Sequence, residues 1–142
     1  MFFNQDYEVP YLTVFIGGNH EASNVLQENF FGGYLCDKIY YMGKSGVINY
    51  KGIRIAGLSG IFNQNNFKKG HFEDITKIDK SSVKSIYHVR EYDICKLALM
   101  DSKIDIFLSH DWPTNIVLKE DYEKIYKIKK WNDVKFCLKI VI

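Results

Sequence analysis

Two short apolar segments, each followed directly by a histidine-containing polar cluster, constrain the fold of this chain most strongly. Residues 11–16 (YLTVFI) are rich in β-branched and aromatic side chains and end at a Gly-Gly pair, which is typical of a buried strand that stops at a tight turn. Residues 104–108 (IDIFL) show the same pattern, and His110 follows them as His20 follows the first segment. In α/β sheets, ligands and catalytic groups gather at the carboxyl ends of strands. We therefore expect an α/β fold in which His20 and His110 share one site.

Composition excludes several other classes of protein. The 142 residues give room for one domain, and 46% hydrophobic with 25% charged residues is typical of a globular chain. The net charge of +2 gives no reason by itself to expect a nucleic acid or a membrane as partner. Three widely separated cysteines without a C-x-x-C pair indicate neither a disulfide framework nor a zinc ribbon. Because no segment approaches the roughly 18 apolar residues of a membrane span and no signal layout opens the sequence, we expect an intracellular protein.

The remaining segments predict further strands and helices. Residues 22–28 suit one or two helical turns, and residues 57–74 have the polar composition of a loop. One helix is predicted to begin near Ser81 and to run to about Met100. Three strand-like segments separated by glycines are predicted to be neighbours in a sheet: residues 39–42, 47–50 and 53–58.

The two polar clusters have a structural and a functional explanation. A single histidine beside a strand commonly hydrogen-bonds loop backbone and has no chemical role. Asn19 and Asp111 adjoin the two histidines, however, and an asparagine carbonyl and a neutral imidazole can both ligate Zn, Mn or Fe. A further histidine beside such ions is suited to act as a general acid near neutral pH. Spacing alone does not decide between the two explanations.

Several motifs, taken in order along the chain, resemble those of one enzyme family. Residues 17–21 (GGNHE) resemble the GNHE signature of the calcineurin-like metallophosphoesterases, and residues 109–113 (SHDWP) resemble a distal histidine motif of one branch of them. Between these lie SGIF at 59–62, KGHFE at 69–73 and SIYHVR at 85–90. GNHE alone would be a weak signal, but the set is specific. Over about residues 10–115 the chain is similar to the RNA lariat debranching enzymes.

This resemblance implies a fold, a reaction and a set of roles. The fold would be an α/β, metallophosphoesterase-type sandwich of mixed β-sheets flanked by helices, present here only in part. The reaction would be hydrolysis of the 2′-5′ phosphodiester bond at the branch point of excised intron lariat RNA. Asn19 and His110 would ligate one metal ion, His20 would help to protonate the leaving oxygen, and Glu21 would orient its neighbours. Divalent ions (Fe, Zn or Mn) would clamp the phosphate and activate water.

The same resemblance assigns recognition of the lariat to about residues 59–100. Eight residues of this segment are candidate RNA contacts: Phe67, Lys68, Lys69, Gly70, His71, Phe72, His88 and Arg90. Aromatic rings can stack on bases, lysines can neutralise phosphate, and glycine permits close approach. Without the resemblance, the lysines would be a solvated face and Phe72 a core residue. The histidines and Arg90 also have a structural explanation, because such side chains commonly make hydrogen bonds within the protein.

The resemblance also predicts how the chain is divided and what it lacks. Residues 1–115 would be part of the catalytic domain, and residues 116–142 a divergent tail that looks like translated intron or a truncated gene product. The family's Cys-x-His, Gly-Asp and His-x-His motifs do not occur in the sequence. Two neutral ligands cannot hold a metal pair, because catalytic sites need at least three protein ligands per ion. We therefore expect this chain alone to be inactive.

Two functions remain open at this stage. The chain is either part of an active debranching phosphodiesterase whose other motifs are encoded nearby, or a catalytically inactive RNA-binding remnant. In both cases the expected partner is branched intron RNA, with no membrane and no obligate protein partner. The expected location is the nucleus.

Overall fold

The computed structural model describes residues 8–77, 80–101 and 103–112. Its coordinates separate into two compact units, residues 1–110 and 111–142. Almost all of the second unit lies outside the described residues, so the fold reported below is that of the first. The predicted tail at residues 116–142 also lies outside them, and the division at residue 115 stays a prediction.

The first sheet contains three strands in the order β1-β3-β2. The central strand β3 (Ile39–Tyr41) runs parallel to β1 (Thr13–Phe15) and antiparallel to β2 (Gly33–Cys36). A bulge between Tyr34 and Cys36 interrupts the second pairing. All three strands are short runs of apolar and aromatic side chains, which fit a half-buried pleated surface.

The second sheet contains three strands in the order β4-β5-β6. β4 (Ser45–Tyr50) and β5 (Ile53–Leu58) form an antiparallel hairpin, and β6 (Ile106–Ser109) pairs with β5 in parallel. The hairpin turns at Lys51 and Gly52, whose φ angles are 51° and 89°. A two-residue turn with positive φ at both positions has a backbone twist that matches the right-handed twist of the two strands it joins. Each of the two sheets is therefore mixed.

Short helices connect these strands. Over the described residues the α-helices are α1 (Ser23–Glu28), α2 (Gln64–Phe67), α3 (Lys80–Ile86) and α4 (Glu91–Ala98), and a 3₁₀ turn covers Ile75–Lys77. The side chain of Asn63 accepts the backbone N–H of Asn65 at 3.1 Å and so caps α2. No helix among them is long and apolar enough to cross a membrane.

The core lies where β5 approaches the first sheet. A Cβ on Gly57 would lie 2.9 Å from Cγ2 of Ile16 and 3.0 Å from Cβ of Met42, so the absence of a side chain permits this approach. The buried apolar side chains come from strands of both sheets, from helices and from the segments that adjoin them: Leu26, Tyr41, Met42, Ala56, Leu58, Ile86 and Val89. The predicted α/β architecture of mixed sheets flanked by helices is confirmed.

One detail of the predicted sheet is wrong. The segments that became β3, β4 and β5 are not neighbours in one sheet, because β3 lies in the first sheet. The chain passes to the second sheet at Gly43, whose φ of 77° and close contact with the backbone of Phe30 exclude a side chain. The strand β2 was not predicted; it begins at Gly33, where pairing with β3 outweighs the low strand propensity of glycine.

The single helix predicted over about residues 81–100 is also wrong. It is interrupted at residues 87–90, where the chain pairs with Ile61. The N–H of Ile61 donates to the carbonyl of Tyr87 at 3.0 Å, and the N–H of Val89 donates to the carbonyl of Ile61 at 2.9 Å. Local apolar spacing carries no information about so distant a partner.

Candidate active site

Buried hydrogen bonds join the loop after β1 to the loop after β5. The N–H of Gly60 donates to the carbonyl of Gly17 at 2.7 Å. The N–H of Gly17 donates to Oγ of Ser59 at 3.1 Å, and this hydroxyl donates to the carbonyl of Gly43 at 2.5 Å. Because buried backbone groups are costly to leave unpaired, these bonds fix the direction in which the chain leaves β1.

The loop after β6 reaches the same place. The imidazole of His110 lies directly against Gly18, where a Cβ would overlap the ring atoms Cδ2 and Nε2. The polar clusters that follow β1 and β6 therefore meet, as their positions in the sequence predict. The chemical roles of their side chains stay predictions.

The loop after β1 is closed by one of its own side chains. The carboxylate of Glu21 accepts the N–H of Gly18 at 2.5 Å, which is the orienting role expected of Glu21. Within this turn Asn19 is half-buried and His20 is exposed to solvent. Both residues are thus accessible at the edge where His110 lies.

The described residues do not make up a whole metal site. Asn19 and His110 would supply an amide oxygen and an imidazole, which are suitable ligands for a divalent ion. No group of three or more His, Cys, Asp and Glu side chains able to hold a metal occurs in the described part of the chain. A catalytic ion needs about three protein ligands, so these residues do not fit a complete centre by themselves.

Lys44 is a buried cation beside this loop. Only 4% of it is exposed, and its Nζ donates to the carbonyl of Ile86 at the end of α3. It lines a small cavity together with residues of the loops after β1 and β5. Burial lowers the pKa of Lys44 to about 8, and the nearby charges of Asp93 and Glu73 offset only part of this effect. Lys44 therefore connects the candidate site to α3.

Arg90 anchors the predicted recognition segment from within the protein. It is 0% exposed, and Nη1 donates to the carbonyl of Asn66 at 2.8 Å. Nη2 is paired with the carboxylate of Glu73 and donates to the carbonyl of Ser85 at 3.1 Å. Burial acts to raise the pKa of Glu73, but the hydrogen bond from Ser85 and the charge of Arg90 hold it below its usual value. One guanidinium thus joins α2, the KGHFE motif and α3.

The two histidines of this segment also contact protein groups. His71 Nε2 lies 3.0 Å from both carboxylate oxygens of buried Asp93, which also accepts the N–H of Arg90 at the start of α4. The side-chain amide of Asn66 is hydrogen-bonded to the ring of His88, with 2.8 Å between the amide nitrogen and Nδ1. Burial, and then the charge of Arg90, lower the pKa of His88. These contacts match the structural explanation, and direct contact with RNA stays a prediction.

The other candidate RNA contacts lie at or near the surface. Lys68, Lys69 and Gly70 are exposed, and nothing lies within 4 Å of a Cβ built on Gly70. Phe72 is 59% exposed. Phe67 is half-buried, and its ring centroid lies 5.3 Å from that of Phe62.

Sequence reasoning missed four residues that organise the site: Lys44, Ser59, Glu73 and Asp93. Asp93 had a signal, because an acidic side chain at the third position of a helix commonly caps it, but the predicted helix began too early to place it there. Ser59 and Glu73 belong to the SGIF and KGHFE motifs without having been given roles. Lys44 had no signal, since a lysine after a strand is usually solvated.

Comparisons with known proteins bear on this arrangement. No protein-family model matches the chain. It is 46% identical over 130 residues to the human protein named lariat debranching enzyme, covering 92% of this chain and 24% of that protein. The protein of the same name from Schizosaccharomyces pombe is 48% identical over 128 residues, and that from Arabidopsis thaliana 46% over 122 residues. This chain spans about a quarter of the length of these relatives.

The two mixed sheets and the meeting of His110 with the loop after β1 are consistent with a fragment of a metallophosphoesterase. Within that class the match is narrower. At 43–50% identity over most of its length, the chain is a homologue of a segment of the lariat debranching enzymes.

Proposed function

We propose that this chain is part of a lariat debranching phosphodiesterase. It would supply some of the groups that act on the phosphate at the branch and the segment that binds the RNA. The observation that carries the proposal is the meeting of the Asn19-His20 loop with His110 at one edge of the fold. The recognition segment begins at the same place, because Gly60 is bonded to Gly17. Cleavage and recognition groups would therefore act on one RNA branch.

The residues of the chain divide the chemistry among them. His20, exposed on a turn closed by Glu21, would donate a proton to the oxygen that leaves phosphorus when the 2′-5′ bond breaks. General acid catalysis of this kind contributes about 10²- to 10⁴-fold. Asn19 and His110 would hold a divalent ion together with ligands that the described residues do not provide. When bound, such ions polarise phosphate oxygens and activate water.

Branched intron RNA as the ligand is supported by the names of the relatives and by the exposed side of the recognition segment. Lys68, Lys69 and Phe72 are all exposed there. Phosphate contacts from lysine and stacking on aromatic rings are the common means of binding single-stranded RNA. A nuclear location is part of the same proposal, because excised introns arise there.

A chimera tests this function. The segment of the S. pombe enzyme that matches this chain would be replaced by the corresponding residues of the chain, and cleavage of a synthetic 2′-5′ branched RNA would be measured. We expect the chimera to linearise the branch. In it, His20→Ala should abolish cleavage with metal content nearly unchanged, whereas His110→Ala should lower the metal content.

Three outcomes would contradict the proposal. A folded chimera that retains metal but leaves the branch intact would exclude a debranching role for this segment. Equal loss of metal in the two histidine variants would remove the distinction between acid and ligand. A chimera that binds branched RNA without cleaving it would favour the RNA-binding remnant.

A further inference from the structure

The backbone of Lys44 joins two loops of the fold. Lys44 directly precedes β4, where the chain passes from the first sheet to the second. Its N–H donates to the carbonyl of Phe30 at 2.9 Å, and its carbonyl accepts the N–H of Ser59 at 2.9 Å. Because both peptide groups of Lys44 are bonded, the direction in which its side chain leaves the backbone is fixed.

The ammonium of Lys44 is bonded to the end of α3. Its Nζ donates to the carbonyl of Ile86, the last residue of α3, and Nη2 of Arg90 donates to the carbonyl of Ser85 at 3.1 Å. The last carbonyls of a helix have no partner within the helix, and positive charge is favourable beside them. Two buried cations from different parts of the chain therefore hold the end of α3.

Lys44 and the loop after β1 line the same small cavity. Its volume is about 10 Å³, and Gly17 and Gly18 are among its lining residues. A cavity of this size has room for about one water molecule, so the loop can move little toward Lys44. Gly18 also lies against the ring of His110. A shift of Lys44 would therefore reach the candidate site.

Stability does not explain a lysine at this position. Only 4% of Lys44 is exposed, and burial lowers its pKa to about 8, an effect that the charges of Asp93 and Glu73 offset only in part. Replacing buried charges with apolar side chains of similar volume is often neutral or stabilising. Groups that lower stability are common where function requires them.

We propose that Lys44 is a positioning residue of the candidate site. Its ammonium holds the end of α3, and its carbonyl holds Ser59, whose hydroxyl accepts the N–H of Gly17 at 3.1 Å. Through these bonds the loop of Asn19 and His20 keeps a fixed place relative to the predicted recognition segment. This inference rests on the proposed function only where activity is measured.

The first test measures cleavage of a synthetic 2′-5′ branched RNA by the chimera described above. We expect Lys44→Met to lower kcat by about 10- to 100-fold, as a small misplacement caused by a change away from the reacting atoms can do. KM should change much less, because Arg90 still anchors the predicted recognition segment. Melting temperature and metal content should not fall, which separates positioning from a loss of fold or of metal.

Lys84→Met is the matched control. It makes the same substitution in α3, but at an exposed position. We expect kcat and KM to stay at the values of the parent chimera. A loss in this variant equal to that in Lys44→Met would assign the effect to any change of lysine near α3 and would overturn the inference.

The second test needs no catalytic activity. Amide hydrogen exchange is measured in the full 142-residue chain at Gly60, whose N–H donates to the carbonyl of Gly17, and over β4 and β5. Loss of a hydrogen bond from a charged group should speed exchange at Gly60 in Lys44→Met by about 10- to 100-fold. Exchange over the β4–β5 hairpin should not change.

Unchanged kcat in Lys44→Met, or exchange at Gly60 equal to that of the wild-type chain, would overturn the inference. A lower melting temperature with faster exchange over the whole fold would also overturn it, because Lys44 would then only stabilise the protein. An inactive parent chimera together with Lys44-dependent exchange at Gly60 would overturn the proposed function alone. An active parent chimera in which neither kcat nor exchange depends on Lys44 would overturn this inference alone.

Discussion

At the scale of single residues, two glycines decide how closely the loops of the site approach one another. Gly18 leaves room for the ring of His110, and Gly60 has a φ of 100° with the carbonyl of Tyr87 where a Cβ would lie. Gly60 also donates to Gly17. Neither position tolerates a side chain, because the obstacles are a ring of the site in one case and backbone in the other.

Gly60→Ala should destabilise the fold by about 2 to 4 kcal/mol, since the left-handed conformation alone costs about 1 to 3 kcal/mol and the clash with Tyr87 adds to it. Urea unfolding gives the free energy directly. The matched control is Gly70→Ala, which meets open space and should change stability by less than about 0.5 kcal/mol. Equal losses in the two variants would show that the backbone of Gly60 is not constrained as described.

Lys44 should make stability depend on pH. Its folded pKa of about 8 lies below the ordinary lysine value of 10.5, so between these values the unfolded chain binds more protons and the free energy of unfolding rises with pH. From pH 8 to 9.5 we expect a gain of about 1 to 2 kcal/mol. Burial raises the pKa of Tyr41, which removes stability only above its ordinary value of 10.0. The gain should be absent in Lys44→Met, and a gain that persists there would belong to another group.

At the scale of elements, the predicted recognition segment depends on the junction between α3 and α4. Arg90 binds Asn66, Glu73 and Ser85 with a planar fork, and it is buried throughout. A lysine there would keep the charge but lose most of these hydrogen bonds. The segment would then keep its sequence motifs while losing the support that orders them.

Arg90→Lys should therefore cost about 3 to 5 kcal/mol of unfolding free energy, because each lost hydrogen bond between a charged group and a buried partner is worth about 1.5 to 3 kcal/mol. Thermal and urea unfolding measure the loss. Lys77→Gln is the control, because Lys77 and Asp74 form an exposed pair at 3.9 Å of a kind that contributes about 0 to 1 kcal/mol. A small loss at Arg90, comparable with the control, would mean that the network does not hold the segment.

Elements set by local pattern were predictable, and those set by distant partners were not. The strand-like runs became β1, β4, β5 and β6, and residues 22–28 became α1. The break between α3 and α4 escaped prediction, because it depends on pairing with Ile61. The strand β2 was not predicted for the same reason: its adjoining glycines have low strand propensity, and the strand forms because it pairs with β3.

The sequence predicted where the candidate site lies, but not the buried interactions that hold the segments around it. Two apolar segments that end in polar clusters were enough to predict that His110 lies near the loop of Asn19 and His20. The sequence did not predict that Arg90 points into the protein, because an arginine can bind either RNA phosphate or a buried carboxylate. Only the position of Glu73 in the fold shows which partner is present in the free chain.

At the scale of the whole molecule, the two small sheets leave strand edges uncovered in the described part of the chain. β6 pairs there with β5 alone, and Ile106 is 45% exposed. Edge strands with exposed apolar side chains tend to pair with other chains. The described part of the chain therefore carries a strand edge suited to self-association.

Ile106→Lys should reduce concentration-dependent association, because a charge on an edge strand opposes pairing between chains. Light scattering over a range of protein concentrations measures this effect. Lys103→Gln, which changes charge nearby but outside the strand, serves as comparison. If association is unaffected by Ile106→Lys, contacts elsewhere must drive it.

The parallel pairing of β5 with β6 has a consequence for the order of folding. Beside this pairing, the backbone N–H of Arg54 donates to the carboxylate of Asp105, which lies 51 positions further along the chain. Closing the intervening loop costs entropy before this contact is formed. The β4–β5 hairpin needs no such closure and should form early. His110, carried on β6, would then reach the loop of Asn19 and His20 only in a late step. A nascent chain would complete the β4–β5 hairpin before His110 meets the loop after β1. Opening of β6 alone would separate His110 from that loop while the hairpin stays paired.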